Sequence, residues 1–142
     1  MKLVKHLLDA KGRHIVSIGP DASVFDAIKL MADKVVGSLI VMEGDSMLGI
    51  VTERDYARKV ILKGRASEST RVAEIMTGEV LTTSSATTVR ECMTLMTDKR
   101  IRHLPVVDDD GLIGMISIGD LVQAIISEQQ EEISQLEQYI SG

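Results

Sequence analysis

A shift of 65 positions lays residues 21–61 over residues 86–126 without a gap. The identities include Val24/Val89, Leu30/Leu95, Met31/Met96, Asp33/Asp98, Lys34/Lys99, Leu39/Leu104, Val41/Val106, Gly49/Gly114 and Asp55/Asp120, and most other pairs exchange like for like. A repeat of this kind constrains the fold more than any local propensity, because each copy is one supersecondary unit that cannot bury its apolar face alone. Two such units are expected to pack face to face. The chain has 142 residues. A chain of that size buries about 68–70% of its extended-state surface, so folding calls for neither disulfide nor metal.

Each copy reads the same way. Residues 15–18 carry a short strand signal, matched by residues 80–83. A helix start follows, Ser23 with Asp26 three positions on and Thr88 with Glu91 in the second copy, the spacing at which a hydroxyl and a carboxylate satisfy orphan N–H groups. Apolar residues then recur at helical spacing, Val24, Ala27, Ile28 and Met31 in one copy and Val89, Cys92, Met93 and Met96 in the other. Two strand runs come next, residues 38–42 and 47–52 around Glu43-Gly44-Asp45-Ser46, and residues 103–107 and 112–117 around Asp108-Asp109-Asp110-Gly111. Short apolar runs flanking a Gly/Asp turn signal a hairpin. A second helix starts after Thr52 and after Ser117. The fold class is therefore α/β, two tandem strand-helix-strand-strand-helix repeats packed as a pseudo-two-fold pair.

The expected division is a first repeat over 1–65, a second over 66–130, and a helical tail over 131–142, with the polar segment 65–71 as linker. Residues 2–10 place Leu3, Val4, Leu7 and Leu8 at helical spacing, and Val72, Ile75 and Met76 hold a similar place before the second copy. Beyond Asp120 the pattern runs on through Val122, Ile125, Ile126, Ile133, Leu136 and Ile140. A helix of about 20 residues is long for so small a protein. Its far end is expected to reach a partner subunit, so a homodimer is expected.

Composition removes several functions. With 16 basic against 21 acidic residues the net charge is −5, and no basic run stands out, which argues against nucleic-acid binding. Phe25, Tyr56 and Tyr139 are the only aromatics, too few for a base-stacking platform. Apolar runs are only a few residues long where a membrane span needs roughly 20, and Lys5 and Asp9 interrupt any signal-like start. A cytoplasmic protein is expected. Cys92, the single cysteine, lies on the apolar helix stripe and suits a core better than catalysis. His6, His14 and His103 lack metal-ligand spacing, and no phosphate loop, zinc-protease or nucleophile-elbow motif occurs. Asp108-Asp109-Asp110-Gly111 lacks the alternating ligands and final Glu of a calcium loop. No enzyme and no metal are expected.

The sharpest motif is duplicated, Gly49-Ile50-Val51-Thr52-Glu53-Arg54-Asp55 and Gly114-Met115-Ile116-Ser117-Ile118-Gly119-Asp120. One reading is a helix cap, in which the acid also suits the helix dipole. The other is ligand binding. An ionised Asp only accepts hydrogen bonds, which suits two adjacent ribose hydroxyls, and Thr52 or Ser117 would support the same ligand.

These motifs, with Arg102-His103-Leu104-Pro105-Val106-Val107-Asp108 before the second hairpin, resemble a pair of cystathionine-β-synthase-type (CBS) domains over about residues 1–130. Thr52-Glu53-Arg54-Asp55-Tyr56-Ala57-Arg58-Lys59 and the 133–139 tail are similar to small bacterial stand-alone CBS pairs. The resemblance implies a disc-like dimer that binds adenine nucleotides (AMP, ADP, ATP or NAD) in clefts between the repeats, with Asp55 and Asp120 on ribose hydroxyls. Adenine would then lie between aliphatic side chains, Val16, Ile18, Leu39 and Ile116 in one cleft, and Leu81, Leu104, Pro105 and Val51 in the other, with Thr82 beside them. Each of these is also ordinary core. Arg102 and His103 would meet phosphate, with Arg54 and Arg58, four apart on one helix face, behind them. The first repeat has Gly37 and Ser38 in place of the basic pair, and Ile40 in place of Pro105. One cleft is basic and the other small and neutral, so they suit different nucleotides. The expected function is a non-catalytic regulatory sensor. The alternative is a structural or partner-binding dimerisation module whose clefts are vestigial.

Overall fold

The computed structural model describes residues 1–141. Its elements run α1 (Val4–Lys11), β1 (Ser17–Ile18), α2 (Val24–Lys34), β2 (Ser38–Glu43), β3 (Ser46–Thr52), α3 (Glu53–Tyr56), a π-helical turn (Ala57–Ile61), α4 (Val72–Ile75), α5 (Val89–Lys99), β4 (His103–Asp108), β5 (Gly111–Ser117) and α6 (Ile118–Ser141). They form two compact units, residues 15–80, and residues 1–14 with 81–141. Among the described residues no helix is long and apolar enough to cross a membrane.

In the unit of residues 15–80, β1 pairs parallel with β2 and β2 antiparallel with β3. The apolar stripe of α2 packs on this sheet, so that Val24, Ala27 and Met31 join Leu39, Val41, Val51, Val60, Val72 and Ile75 in one core. The Ser23 hydroxyl caps α2 by accepting from the N–H of Asp26 at 3.1 Å. The helix ends on Val35, which takes a left-handed backbone at φ 55°. After Thr52 the chain makes one α turn and then opens into the π turn, with N–H groups of Leu62 and Arg65 donating to Ala57 O and Val60 O at 3.1 and 3.0 Å. The wider turn keeps Val60 in the core and leaves Ile61 and Leu62 exposed.

The other unit repeats the plan with differences. Thr88 caps α5 through the N–H of Glu91 at 3.1 Å, and Arg100 ends it at φ 55°. Strands β4 and β5 pair antiparallel, and their register shifts between Val106 and Val107, 65 positions from the shift at Val41/Met42. The expected strand over 80–83 does not form. Thr83 makes only an isolated parallel bridge to Val106, because its N–H donates to Pro105 O and its carbonyl accepts from Val107 N while Leu81 and Thr82 stay exposed.

The expected division at 65/66 and 130/131 does not coincide with the compact units. Val4, Leu7 and Leu8 of α1 are core members beside Val89, Cys92, Met96, Leu104, Val106, Ile116, Leu121 and Ala124. Segment 65–71 is not a free linker either. Ser67 O and Thr70 O accept from the N–H groups of Phe25 and Val24 at 3.0 and 2.8 Å, and Thr70 is buried. The segment therefore closes the N-terminal turn of α2.

The duplicated glycines serve packing. A Cβ on Gly49 would stand 2.5 Å from the carbonyl oxygen of Thr77, where Ile50 and Thr77 exchange backbone hydrogen bonds of 3.0 and 2.9 Å. On Gly114 it would stand 2.7 Å from a Leu8 methyl. In both copies the missing side chain admits the segment that lies across the hairpin.

Candidate functional site

Each unit brings three short segments of its own repeat together: the first residues of one strand, the last of its partner, and the first turn of the helix that follows. In the second repeat, His103 lies opposite Ser117 in the β4–β5 register, and the N–H of Ile118 donates to Arg102 O at 2.9 Å. Arg102, His103, Ser117 and Asp120 therefore share one corner. In the first repeat Ser38 lies opposite Thr52, and the N–H of Glu53 donates to Gly37 O at 3.1 Å. Gly37, Ser38, Thr52 and Asp55 form the same corner without the basic pair. The side chains that distinguish the two corners are those that sequence comparison picks out.

The carboxylates cap their helices. Thr52 N–H and Thr52 Oγ1 both donate to Asp55 Oδ2, at 3.0 and 3.1 Å, while the N–H of Asp55 donates to Thr52 Oγ1 at 3.1 Å. Ser117 N–H donates to Asp120 Oδ2 at 2.8 Å, and the N–H of Asp120 donates to Ser117 Oγ at 3.2 Å. Both are reciprocal capping boxes. A carboxylate accepts at about four positions, and the capping bonds of both copies run to Oδ2, which leaves Oδ1 for a further donor.

Each carboxylate also carries a lysine that sequence reasoning missed. Lys59 lies 3.1 Å from Asp55 Oδ1 and donates to Ile75 O at 2.8 Å. Lys11 lies 2.7 Å from Asp120 Oδ2 and donates to Met115 O at 3.0 Å. The i,i+4 spacing of Asp55 and Lys59 is readable on a helix. The Lys11–Asp120 pair spans 109 positions and leaves no local signal. Burial of Asp120 opposes its charged form, but the Lys11 ammonium and the Ser117 N–H and hydroxyl outweigh that, and its pKa is lowered.

The aliphatic candidates divide by burial. Leu39, Val51, Leu104 and Ile116 are at most 1% exposed and belong to the cores, and Pro105 is buried within β4. Val16 and Ile18 are partly buried against the residue 15–80 core, whereas Leu81 is 42% exposed. Arg54 and Arg58 are exposed on α3 and the π turn. They do not lie on one regular α-helix, because the winding changes at Ala57. A hollow of about 410 Å³ lined by Ile28, Met31, Ala32, Val35, Val36, Gly37 and Glu53 reaches the first corner at Gly37. The acidic hairpin turn is occupied by the protein itself. Asp108 accepts from Ser85 Oγ and Ser85 N–H at 2.6 and 2.9 Å, and these bonds lower its pKa.

The profile of the CBS domain matches residues 8–62 and 72–127. The chain belongs to the CBS-domain family. A protein with CBS domains from Burkholderia ambifaria superposes with a TM-score of 0.88 at 53% identity, covering 90% of this chain and 96% of that one. The mitochondrial CBS domain-containing protein CBSX3 of Arabidopsis thaliana is 50% identical over 127 residues, 86% of this chain but only 62% of that protein. A hexameric CBS-CP12 protein from bloom-forming cyanobacteria superposes with a TM-score of 0.76 at 32% identity over 85% of this chain and 66% of that one. CBS pairs are in general regulatory, ligand-binding modules, their usual ligands are adenine nucleotides, and CBS-only proteins are typically non-catalytic.

Proposed function

We propose that this CBS pair is a non-catalytic regulatory module in which each repeat binds an adenine nucleotide, in a cytoplasmic homo-oligomer, most simply a homodimer. The observation that carries the reading is the corner built twice from strand start, strand end and capped helix. The carboxylate of that corner, Asp55 or Asp120, is assigned to a ribose diol. The second corner adds Arg102 and His103 and is the phosphate-binding one. The first, with Gly37 and Ser38, takes adenosine or the uncharged part of a dinucleotide such as NAD. Adenine rests on the aliphatic residues that retain exposure, Val16, Ile18 and Leu81, with Thr82 beside the last. Arg54 and Arg58 supply further positive charge. Binding regulates only through a difference in affinity between two states of the protein.

Isothermal calorimetry with AMP and with adenosine tests this. Both ligands are expected to bind wild type. Arg102→Ala is expected to weaken AMP by about 1.5–3 kcal/mol, the contribution of a charge-assisted bond, with adenosine nearly unchanged. Equal losses for the two ligands would remove the phosphate assignment. The capping boxes and lysines that already engage Asp55 and Asp120 favour a second reading, a partner-binding module with vestigial corners. Absence of heat and of any rise in melting temperature with AMP, ATP or NAD would establish that reading instead.

A further inference from the structure

The distal half of α6, residues 127–141, holds Glu128, Glu131, Glu132 and Glu137 and no basic residue. Its apolar side chains are uncovered, Ile133 at 54%, Leu136 at 61%, Tyr139 at 87% and Ile140 at 81% exposed. Ile126, Ile133 and Ile140 stand seven apart with Leu136 between them, which is coiled-coil spacing. Two such tails are nevertheless poor partners for each other. In that register Glu132 and Glu137 take the flanking positions that meet across a parallel pair, so carboxylate faces carboxylate, and like charges at such positions are unfavourable.

A second surface has the opposite character. Residues 57–65 hold Arg58, Lys59, Lys63 and Arg65 and no acidic residue. Arg58, Lys63 and Arg65 are exposed, and the π winding turns Ile61 and Leu62 out to 55% and 76% exposure between them. The second repeat has no such turn, since its helix continues as α6. A short basic and apolar surface thus matches an acidic and apolar helix about 22 Å long.

We propose that the distal half of α6 docks on the basic π turn, residues 57–65, of a second copy of this chain. Apolar contact of Ile133, Leu136 and Ile140 with Ile61 and Leu62 supplies the seat, and the opposite charges set its direction and exclude tail-to-tail pairing. The inference rests on the self-association in the proposed function, and its test uses Lys63 and Arg65, which stand outside the candidate corners.

Sedimentation equilibrium on the full chain without nucleotide tests it, with circular dichroism to confirm that each variant is folded. Lys63→Glu/Arg65→Glu, outside the candidate corners, is expected to weaken self-association roughly tenfold by reversing two exposed charges. Glu132→Lys is expected to weaken it as well, whereas a tail-to-tail coil would be strengthened, because the introduced ammonium would then face the carboxylate of Glu137. An equimolar mixture of Lys63→Glu/Arg65→Glu with Glu132→Lys/Glu137→Lys is expected to regain wild-type association, and raised salt is expected to weaken wild type. An unaltered equilibrium in Lys63→Glu/Arg65→Glu, or a tighter one in Glu132→Lys, overturns the docking while leaving the nucleotide reading to calorimetry. A monomeric wild type overturns both the docking and the proposed oligomer.

Discussion

Lys11 and Asp120 show how much one contact outside the repeat decides. The acid half of the motif is duplicated, but its lysine is not. Lys59 comes from the turn after Asp55, whereas Lys11 comes from a helix that precedes both copies. The pKa of Asp120 is lowered in the fold, so its contribution to stability is present above the unfolded carboxylate range near pH 4 and is lost as pH falls through the folded value. Lys11→Met keeps the aliphatic stem and removes the charge. Its stability is expected to fall below wild type near pH 6 by less than about 1 kcal/mol, since the pair is partly exposed, and the gap is expected to be smaller near pH 3. Urea unfolding at the two pH values is the measurement. A difference of the same size at both would mean that the ammonium does not hold the carboxylate down.

At the scale of elements, the strongest shared feature is the end of the first long helix in each copy. Val35 and Arg100, 65 positions apart, both adopt φ 55°, the left-handed cap that glycine or asparagine usually fills. A β-branched residue is strained there, and Val35 is 89% exposed, so little packing offsets the strain. Val35→Gly is expected to raise stability by about 0.5–1 kcal/mol, read as a higher urea midpoint with an unchanged slope. A lower midpoint would show that the valine side chain is engaged by a neighbour in the protein as it exists in solution. The caps at Ser23 and Thr88, the hairpins and the long α6 were all legible, because spacing and turn residues are local. The π turn was not, since the sequence around it carries ordinary helix formers.

For the whole molecule, the consequence of greatest weight is that the second repeat is completed by the N-terminal helix. Val4 and Leu8 have no exposed surface and share a core with Leu104 and Ile116. Leu8→Ala is expected to cost about 2–5 kcal/mol, as for other buried leucines. Hydrogen exchange is expected to speed up first at β4, β5 and α5. Faster exchange confined to β2 and β3 would contradict the grouping of α1 with the second repeat. The sequence by itself determined the duplicated plan, its capped helices and hairpins, the family, and the two unequal corners at Arg102-His103 and Gly37-Ser38. All of these rest on residues close along the chain or 65 apart in register. Only the tertiary structure decided which repeat α1 and segment 65–80 complete, that Leu39, Val51, Leu104 and Ile116 are core, and that Lys11 meets Asp120. Helical periodicity shows that a face will be buried but not against what. That choice depends on packing and ion pairing between residues far apart in the chain, which leave no spacing to read.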